Sequence, residues 1–259
     1  MADIEIASDR LRCVLSTQGG LIWRLEAKSG DAWHPLLRPP PEGSDRNPLK
    51  AGCFPLVPFG NRVEGNRLLF DRTEYRLKPN TPWDKHYLHG DGWLGNWTVE
   101  DRCDAEASLS FEFQGEPYRY RATQRFKCEG VSFRAILGVT NLGERPMPFG
   151  LGWHPFFPLT PATTLQAPAV AYWTEKAGWL PDARIAIPEN LDSAKPKRCH
   201  GNGSTTVLTV GTAPPPSFGP NGICGCASRP LRRCRAISFS SPTRRSIRTT
   251  ARTSSASSR

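Results

Sequence analysis

The last 61 residues of this 259-residue chain contain no Asp, Glu, Lys, Trp or Tyr. A segment without acidic side chains, Trp or Tyr has little apolar surface to set against chain entropy. Its Ser, Thr, Pro, Gly and Arg are therefore expected to stay mostly disordered. All 24 Asp and Glu, all eight Trp and all five Tyr lie upstream of it. The formal net charge of +10 is thus not a property of the whole chain: residues 1–198 carry only +1, and a tail with nine Arg carries the rest. The sequence divides into a folding unit at 1–198 and an Arg/Ser/Pro-rich tail at 199–259.

Other absences narrow the class. No apolar run approaches the roughly 18 residues of a membrane span, and the N-terminus, Met-Ala-Asp-Ile-Glu-Ile-Ala, has neither a basic nor an apolar leader region. The expectation is a soluble, cytoplasmic protein with no membrane partner. Cys13, Cys53, Cys103 and Cys128 are far apart and form no ligand-like pairs, so free thiols in or near the core are expected. In the tail, Cys199-His200, Cys224-Gly-Cys226 and Cys234 hold enough ligands for one zinc. However, separation by one residue departs from the two to four of structural sites, and no metal is expected. Nine Arg without Lys or interleaved aromatics lack the pattern of a nucleic-acid reader, and such a partner is not expected either.

Helical periodicity is never sustained long enough for a helix. Short apolar or alternating stretches between turn residues fill the first 160 positions instead, and this predicts an all-β sandwich or barrel. Leu11 to Ser16 and Leu21 to Glu26 flank Gln-Gly-Gly as a hairpin, and Asn66–Phe70 and Glu74–Leu77 flank Asp-Arg-Thr as another. Further strands are predicted at Ala107–Phe113, Tyr118–Phe126, Val131–Thr140 and Met147–Trp153. Two segments do not read as strands, Pro39 to Lys50 and Asn80 to Trp93. The second carries Trp83, Lys85, His86, His89 and Trp93, and loops on a rigid sheet are where binding chemistry concentrates.

Three patterns occur in order: Cys-Phe-Pro-Leu-Val-Pro-Phe-Gly-Asn-Arg (53–62), Leu-His-Gly-Asp-Gly-Trp-Leu-Gly-Asn-Trp (88–97) and Gly-Leu-Gly-Trp-His-Pro-Phe-Phe (150–157). Each alone is weak; together, on an all-β background, they closely resemble the aldose 1-epimerases over roughly residues 10–190. The resemblance implies a galactose-mutarotase-like β-sandwich (supersandwich) that interconverts the α and β anomers of a hexose or hexose phosphate, without metal or cofactor. It also implies that Asn61 and Arg62 bind substrate, that His89 lies near the ring oxygen and that His154 is the general acid. The chemistry agrees, because ring opening moves one proton onto the ring oxygen and one off the anomeric hydroxyl, and histidine suits both transfers. Arg62 offers a fork of donors to sugar hydroxyls, while Trp93, Trp153, Phe156 or Phe157 could offer an apolar face or could simply be core. His86 matches no family motif and reads as structural.

The pattern is incomplete at the C-terminal end. The family's general base is a glutamate near the C-terminus, preceded by a Trp-Asp-Gly-type segment, and neither is visible here. Glu175 and Glu189 stand in no motif that would let them substitute. Codons chosen for Ser217 to Ile223 and read from the third base spell Val-Trp-Pro-Glu-Trp-Asp, and the same shift from Thr250 ends on Glu-Pro. A shifted reading frame is therefore the expected origin of the tail, and impaired turnover its expected consequence. A sugar-binding module without turnover is the rival reading, and nucleic-acid binding through the basic tail a more distant one.

Overall fold

Strict alternation in the sequence produces the two longest strands. In β12 (Arg119–Glu129), Tyr120, Ala122, Gln124, Phe126 and Cys128 are buried, while Arg119, Thr123, Arg125 and Glu129 face outward. Its neighbour β13 (Ser132–Asn141) buries Phe133, Ala135, Leu137 and Val139. With a period of two, one face of each strand is apolar and must be covered. The computed structural model describes residues 3–165, 169 and 171–192, together with the backbone alone of 197–198, 208–209, 233–240 and 248–254.

Two six-stranded antiparallel sheets form the body. The first runs in the order β1 (Asp3–Ala7), β2 (Leu11–Ser16), β3 (Leu21–Ser29), β5 (Cys53–Leu56) and β14 (Gly152–Pro155), with β4 (Ala32–Pro35) also on β3. The second runs β10 (Thr98–Arg102), β11 (Glu106–Gln114), β12, β13, β20 (Arg233–Ser240) and β21 (Arg248–Ser254). Ile4, Ile6, Leu11, Cys13, Leu15 and Leu25 of the first sheet share one core with Leu109, Tyr120, Phe126, Phe133 and Leu137 of the second. Burial of each such side chain contributes about 1.5–3 kcal/mol. Polar bonds cross the same interface: the fully buried Gln124 donates to the Gly20 carbonyl at 3.0 Å, and Tyr120 to that of Val57 at 3.4 Å.

The remaining strands are short. β6 (Arg62–Val63) pairs β9 (Tyr87–Leu88), and β7 (Arg67–Phe70) pairs β8 (Thr73–Arg76). β15 (Thr164–Leu165) pairs β18 (Lys197–Arg198), and β16 (Ala171–Lys176) lies between β17 (Leu180–Ile185) and β19 (Leu208–Thr209). Among the described residues no helix is long and apolar enough to cross a membrane.

Both predicted hairpins form, as β2–β3 and β7–β8, and the predicted strands at 107, 118 and 131 appear as β11, β12 and β13. Three expectations need correction. The segment Asn80 to Trp93, which does not read as a strand, contains β9, held by its pairing with Arg62–Val63. The strand predicted at Met147–Trp153 begins only at Gly152, because Pro146 and Pro148 have no N–H for a ladder and Gly150 spends its own on the Pro58 carbonyl at 2.7 Å. Of the four upstream cysteines, Cys13, Cys53 and Cys128 are buried, but Cys103 is exposed at the turn between β10 and β11. The expectation of a disordered tail lies largely outside the described residues. The backbone described there includes β20, antiparallel to β13 from Ser132↔Ser240 to Val139↔Arg233, and β21 beyond it.

Candidate active site

The same alternation that fills the sandwich core directs other residues to the opposite face of the first sheet. On β3, Ile22 belongs to the main core, whereas Leu21 and Trp23 join a second cluster with Ala51, Phe54, Leu88 and Trp93. On β5 and β14, Cys53 and Trp153 point into the sandwich, so Phe54 and His154 point away from it. The register sets His154 directly opposite Phe54, and their rings stack with centroids 4.6 Å apart. The loop containing Leu88 and Trp93 covers this outer face, and its own His89 arrives there with it.

His89 stands edge-on to His154 at 5.6 Å, with Trp93 at 5.8 Å from its ring on another side. Its orientation is set by Asn61. The Asn61 backbone N–H donates to His89 Nδ1 at 3.0 Å, and the His89 N–H donates to the Asn61 carbonyl at 2.9 Å. Burial first, then the charges on His154 and Arg62, push His89 down to about 3, with Asp84 acting in the opposite direction. The ring is neutral near pH 7, and with Nδ1 accepting, its proton resides on Nε2. His89 is therefore a fixed hydrogen-bond donor rather than a proton carrier.

His154 is held below its ordinary value, chiefly by burial and further by the charge on Arg38. Its Nδ1 is buried and has no hydrogen-bond partner. Phe156 stands 4.7 Å from its ring, and the Arg38 guanidinium lies 3.9 Å over Phe156.

Arg62 follows Asn61 directly, and its N–H donates to the Asn61 side-chain oxygen at 2.8 Å. Its Nε donates to Asp84 Oδ2 at 2.6 Å, in a pair whose side chains are only 18% and 8% exposed. Burial alone would raise the Asp84 carboxyl, but the His86 N–H and Arg62 outweigh it and hold Asp84 below its usual value. Asp84 thereby fixes the Arg62 side chain through Nε.

All four residues expected from sequence, Asn61, Arg62, His89 and His154, thus belong to one connected constellation. Of the aromatic candidates, Trp93 and Trp153 are buried and serve as core, while Phe156 remains half-buried beside His154. His86 accepts from the Gly65 N–H at 3.2 Å through Nδ1, and its buried Nε2 has no hydrogen-bond partner. Asp84, Asn80 and Arg38 carry no signal in the sequence. Asn80 organises the His89 loop, donating to the Leu88 and Gly90 carbonyls at 2.8 and 2.7 Å and accepting from the Leu88 N–H at 2.9 Å. Among the described residues no group of three or more His, Cys, Asp or Glu side chains is placed to hold a metal ion.

Comparison with known proteins gives a consistent picture. The aldose 1-epimerase family profile matches residues 3–211. The chain is 43% identical over 200 residues to the uncharacterized protein YphB of Escherichia coli strain K12, covering 76% of this chain and 66% of that one. Its fold resembles the crystal structure of a candidate aldose 1-epimerase from E. coli K12, with a TM-score of 0.70, 41% identity, and 76% and 66% coverage of the two chains. It also resembles a GalM/aldose epimerase homologue from C. elegans, with a TM-score of 0.67, 18% identity, and 92% and 78% coverage; at that identity the likeness speaks to the fold alone. The chain spans 66% of the length of each E. coli relative.

Proposed function

Because the chain belongs to the aldose 1-epimerase family, we propose that it binds a hexose, free or phosphorylated, and acts on its hemiacetal ring. In this reading His154 is the acid toward the ring oxygen, His89 donates a hydrogen bond beside it, and Arg62 and Asn61 hold hydroxyls. The observation that carries the reading is the edge-on histidine pair at 5.6 Å, joined to Arg62 through Asn61. A lowered pKa gives His154 its proton in a minority of molecules at pH 7, and the protonated form then releases it readily. His89, kept neutral, needs no proton exchange to do its part.

The base is the weak point of the site. Residues 199–259 contain no carboxylate side chain. Asp84 is close, but Arg62 and the His86 N–H stabilise its ionised form, which makes it a poor proton acceptor. Without a positioned base the anomeric hydroxyl loses its proton only to water, at a cost of about 10²–10⁴-fold in rate. The chain is accordingly proposed to bind sugar while turning it over slowly.

The test pairs two measurements on one sample: titration with glucose or galactose followed by intrinsic fluorescence, and polarimetry on freshly dissolved sugar. Binding with mutarotation barely above the spontaneous rate is expected. Turnover on the order of 10 s⁻¹ or more would show that another residue supplies the base. Restoring a glutamate-bearing C-terminal frame should restore mutarotation, and His154→Ala in that background should then lower turnover by about a hundredfold or more.

A further inference from the structure

The turn of the β16–β17 hairpin holds a tryptophan that neither backbone geometry nor burial calls for. Lys176 and Leu180 are paired, so residues 177–179 close the hairpin. Gly178 and Trp179 both take left-handed backbone, with φ of +83° and +60°. A hairpin loop of this length commonly needs that conformation at one position, which glycine adopts without steric cost and a bulky side chain does not. Burial does not offset the loss, because Trp179 is 59% exposed. Bulky residues held in left-handed backbone concentrate at ligand clamps and switch segments, where the strain is part of the mechanism.

The turn is seated on the two segments that present Arg62. Lys176 Nζ pairs with Glu64, two residues beyond Arg62, at 2.9 Å. A Cβ added at Gly178 would stand 3.9 Å from Nε2 of His86, which lies two residues beyond Asp84, the tether of Arg62. Asn66 joins the two segments, donating to the Lys85 carbonyl at 2.9 Å and accepting from the Tyr87 N–H at 2.5 Å.

Beneath the turn lies a donor without an acceptor. His86 is 6% exposed, and its Nδ1 accepts from the Gly65 N–H, so the neutral ring carries its proton on Nε2. That Nε2 is buried and has no hydrogen-bond partner. A buried donor left unmatched is costly, and the cost is removed when an acceptor reaches it. The carbonyls of the turn are the acceptors at hand, because Gly178 has no side chain to keep its backbone away from Nε2. Movement of the turn toward His86 would therefore be favoured at the protein's own polar groups.

We propose that residues 177–179 form a strap that closes when a ligand is held by Arg62. In the closed state a carbonyl of the turn accepts from His86 Nε2, and Trp179 swings over the Arg62–Asp84 pair and shuts water out of it. The structure described above is the open state, with the His86 donor unmatched and the Trp179 ring in solvent. The proposal rests on the reading of Arg62 as a ligand-binding residue.

Hydrogen exchange of the full chain, read by mass spectrometry with and without saturating glucose or galactose, tests it. The backbone amides of 176–180 should exchange about fivefold or more slowly when sugar is bound. Trp179→Gly, which suits the left-handed backbone, should keep or raise the urea midpoint, lower sugar affinity about tenfold and abolish the sugar-dependent protection. Trp179→Phe should retain that protection. A tryptophan with only a structural role predicts the reverse, a lower midpoint in Trp179→Gly with unchanged affinity, and that result would overturn the strap. Sugar binding to the parent without slower exchange at 176–180 would also overturn it, while leaving the Arg62 reading intact. Failure of the parent to bind either sugar would overturn both.

Discussion

Asn61 and His89 exchange two hydrogen bonds across 28 positions of sequence, and both hold left-handed backbone, with φ of +66° and +59°. A non-glycine residue in that region costs on the order of 1–2 kcal/mol, and asparagine tolerates it better than most. The strain is held by the bonds it permits, which fix the tautomer of His89. Asn61→Ala keeps the strain and loses the bond to the Arg62 N–H, so a destabilisation of about 1–2 kcal/mol is expected, together with weaker sugar binding. Asn61→Gly should recover part of the stability but not the binding. Urea midpoints and sugar titrations of the two variants check this; equal stability for both would refute the role of backbone strain.

Asp84 positions Arg62 without facing the sugar in our reading. Asp84→Asn keeps an oxygen for the His86 N–H but discharges the pair at 2.6 Å. Sugar affinity is expected to fall about tenfold, or ~1.4 kcal/mol, and the urea midpoint to fall with it, because the largely buried Arg62 charge loses its counter-ion. A variant that binds as well as the parent would show that Arg62 needs no tether.

Gly90 closes the His89 loop against the first sheet. At φ +72°, a Cβ added there would stand 2.1 Å from the Val57 carbonyl oxygen and 2.4 Å from Pro58 Cδ. Backbone atoms cannot yield as a flexible side chain would. Gly90→Ala should cost about 3 kcal/mol or more and displace the loop, seen as a lower melting temperature and lost sugar binding. Near-parental stability would mean that the loop can move away from Val57.

Asp91 gives the fold a pH dependence. Burial raises its carboxyl to about 6, against the opposing effect of the hydrogen bond donated by the Tyr87 hydroxyl. Its unfolded value is near the reference of about 3.9, so the folded state binds more protons between the two. The contribution is present below about 3.9 and is lost as pH rises through about 6. Asp91→Asn can still accept from Tyr87 and removes the titration. The melting temperature of this variant relative to the parent should therefore rise from pH 4.5 to pH 7.5, and a difference independent of pH would exclude Asp91 as the source.

Sequence alone determined the all-β class, both hairpins and the three ordered motifs, because alternation and turn chemistry are local properties. It also singled out Asn61, Arg62, His89 and His154, since a motif is a string. What it could not contain is their relation. Register brings His154 opposite Phe54, and covering the outer face of the first sheet carries His89 to the same spot. Asp84 becomes the partner of Arg62 only because β6 pairs with β9 and draws the 80–86 loop alongside. The same holds for chemical state: nothing in a His-Gly dipeptide says which nitrogen carries the proton, whereas burial and the Asn61 N–H decide it. Trp83 and Trp93 are alike as letters, yet one is core and the other exposed, because burial depends on which distant surface the loop meets and only the tertiary structure supplies that surface.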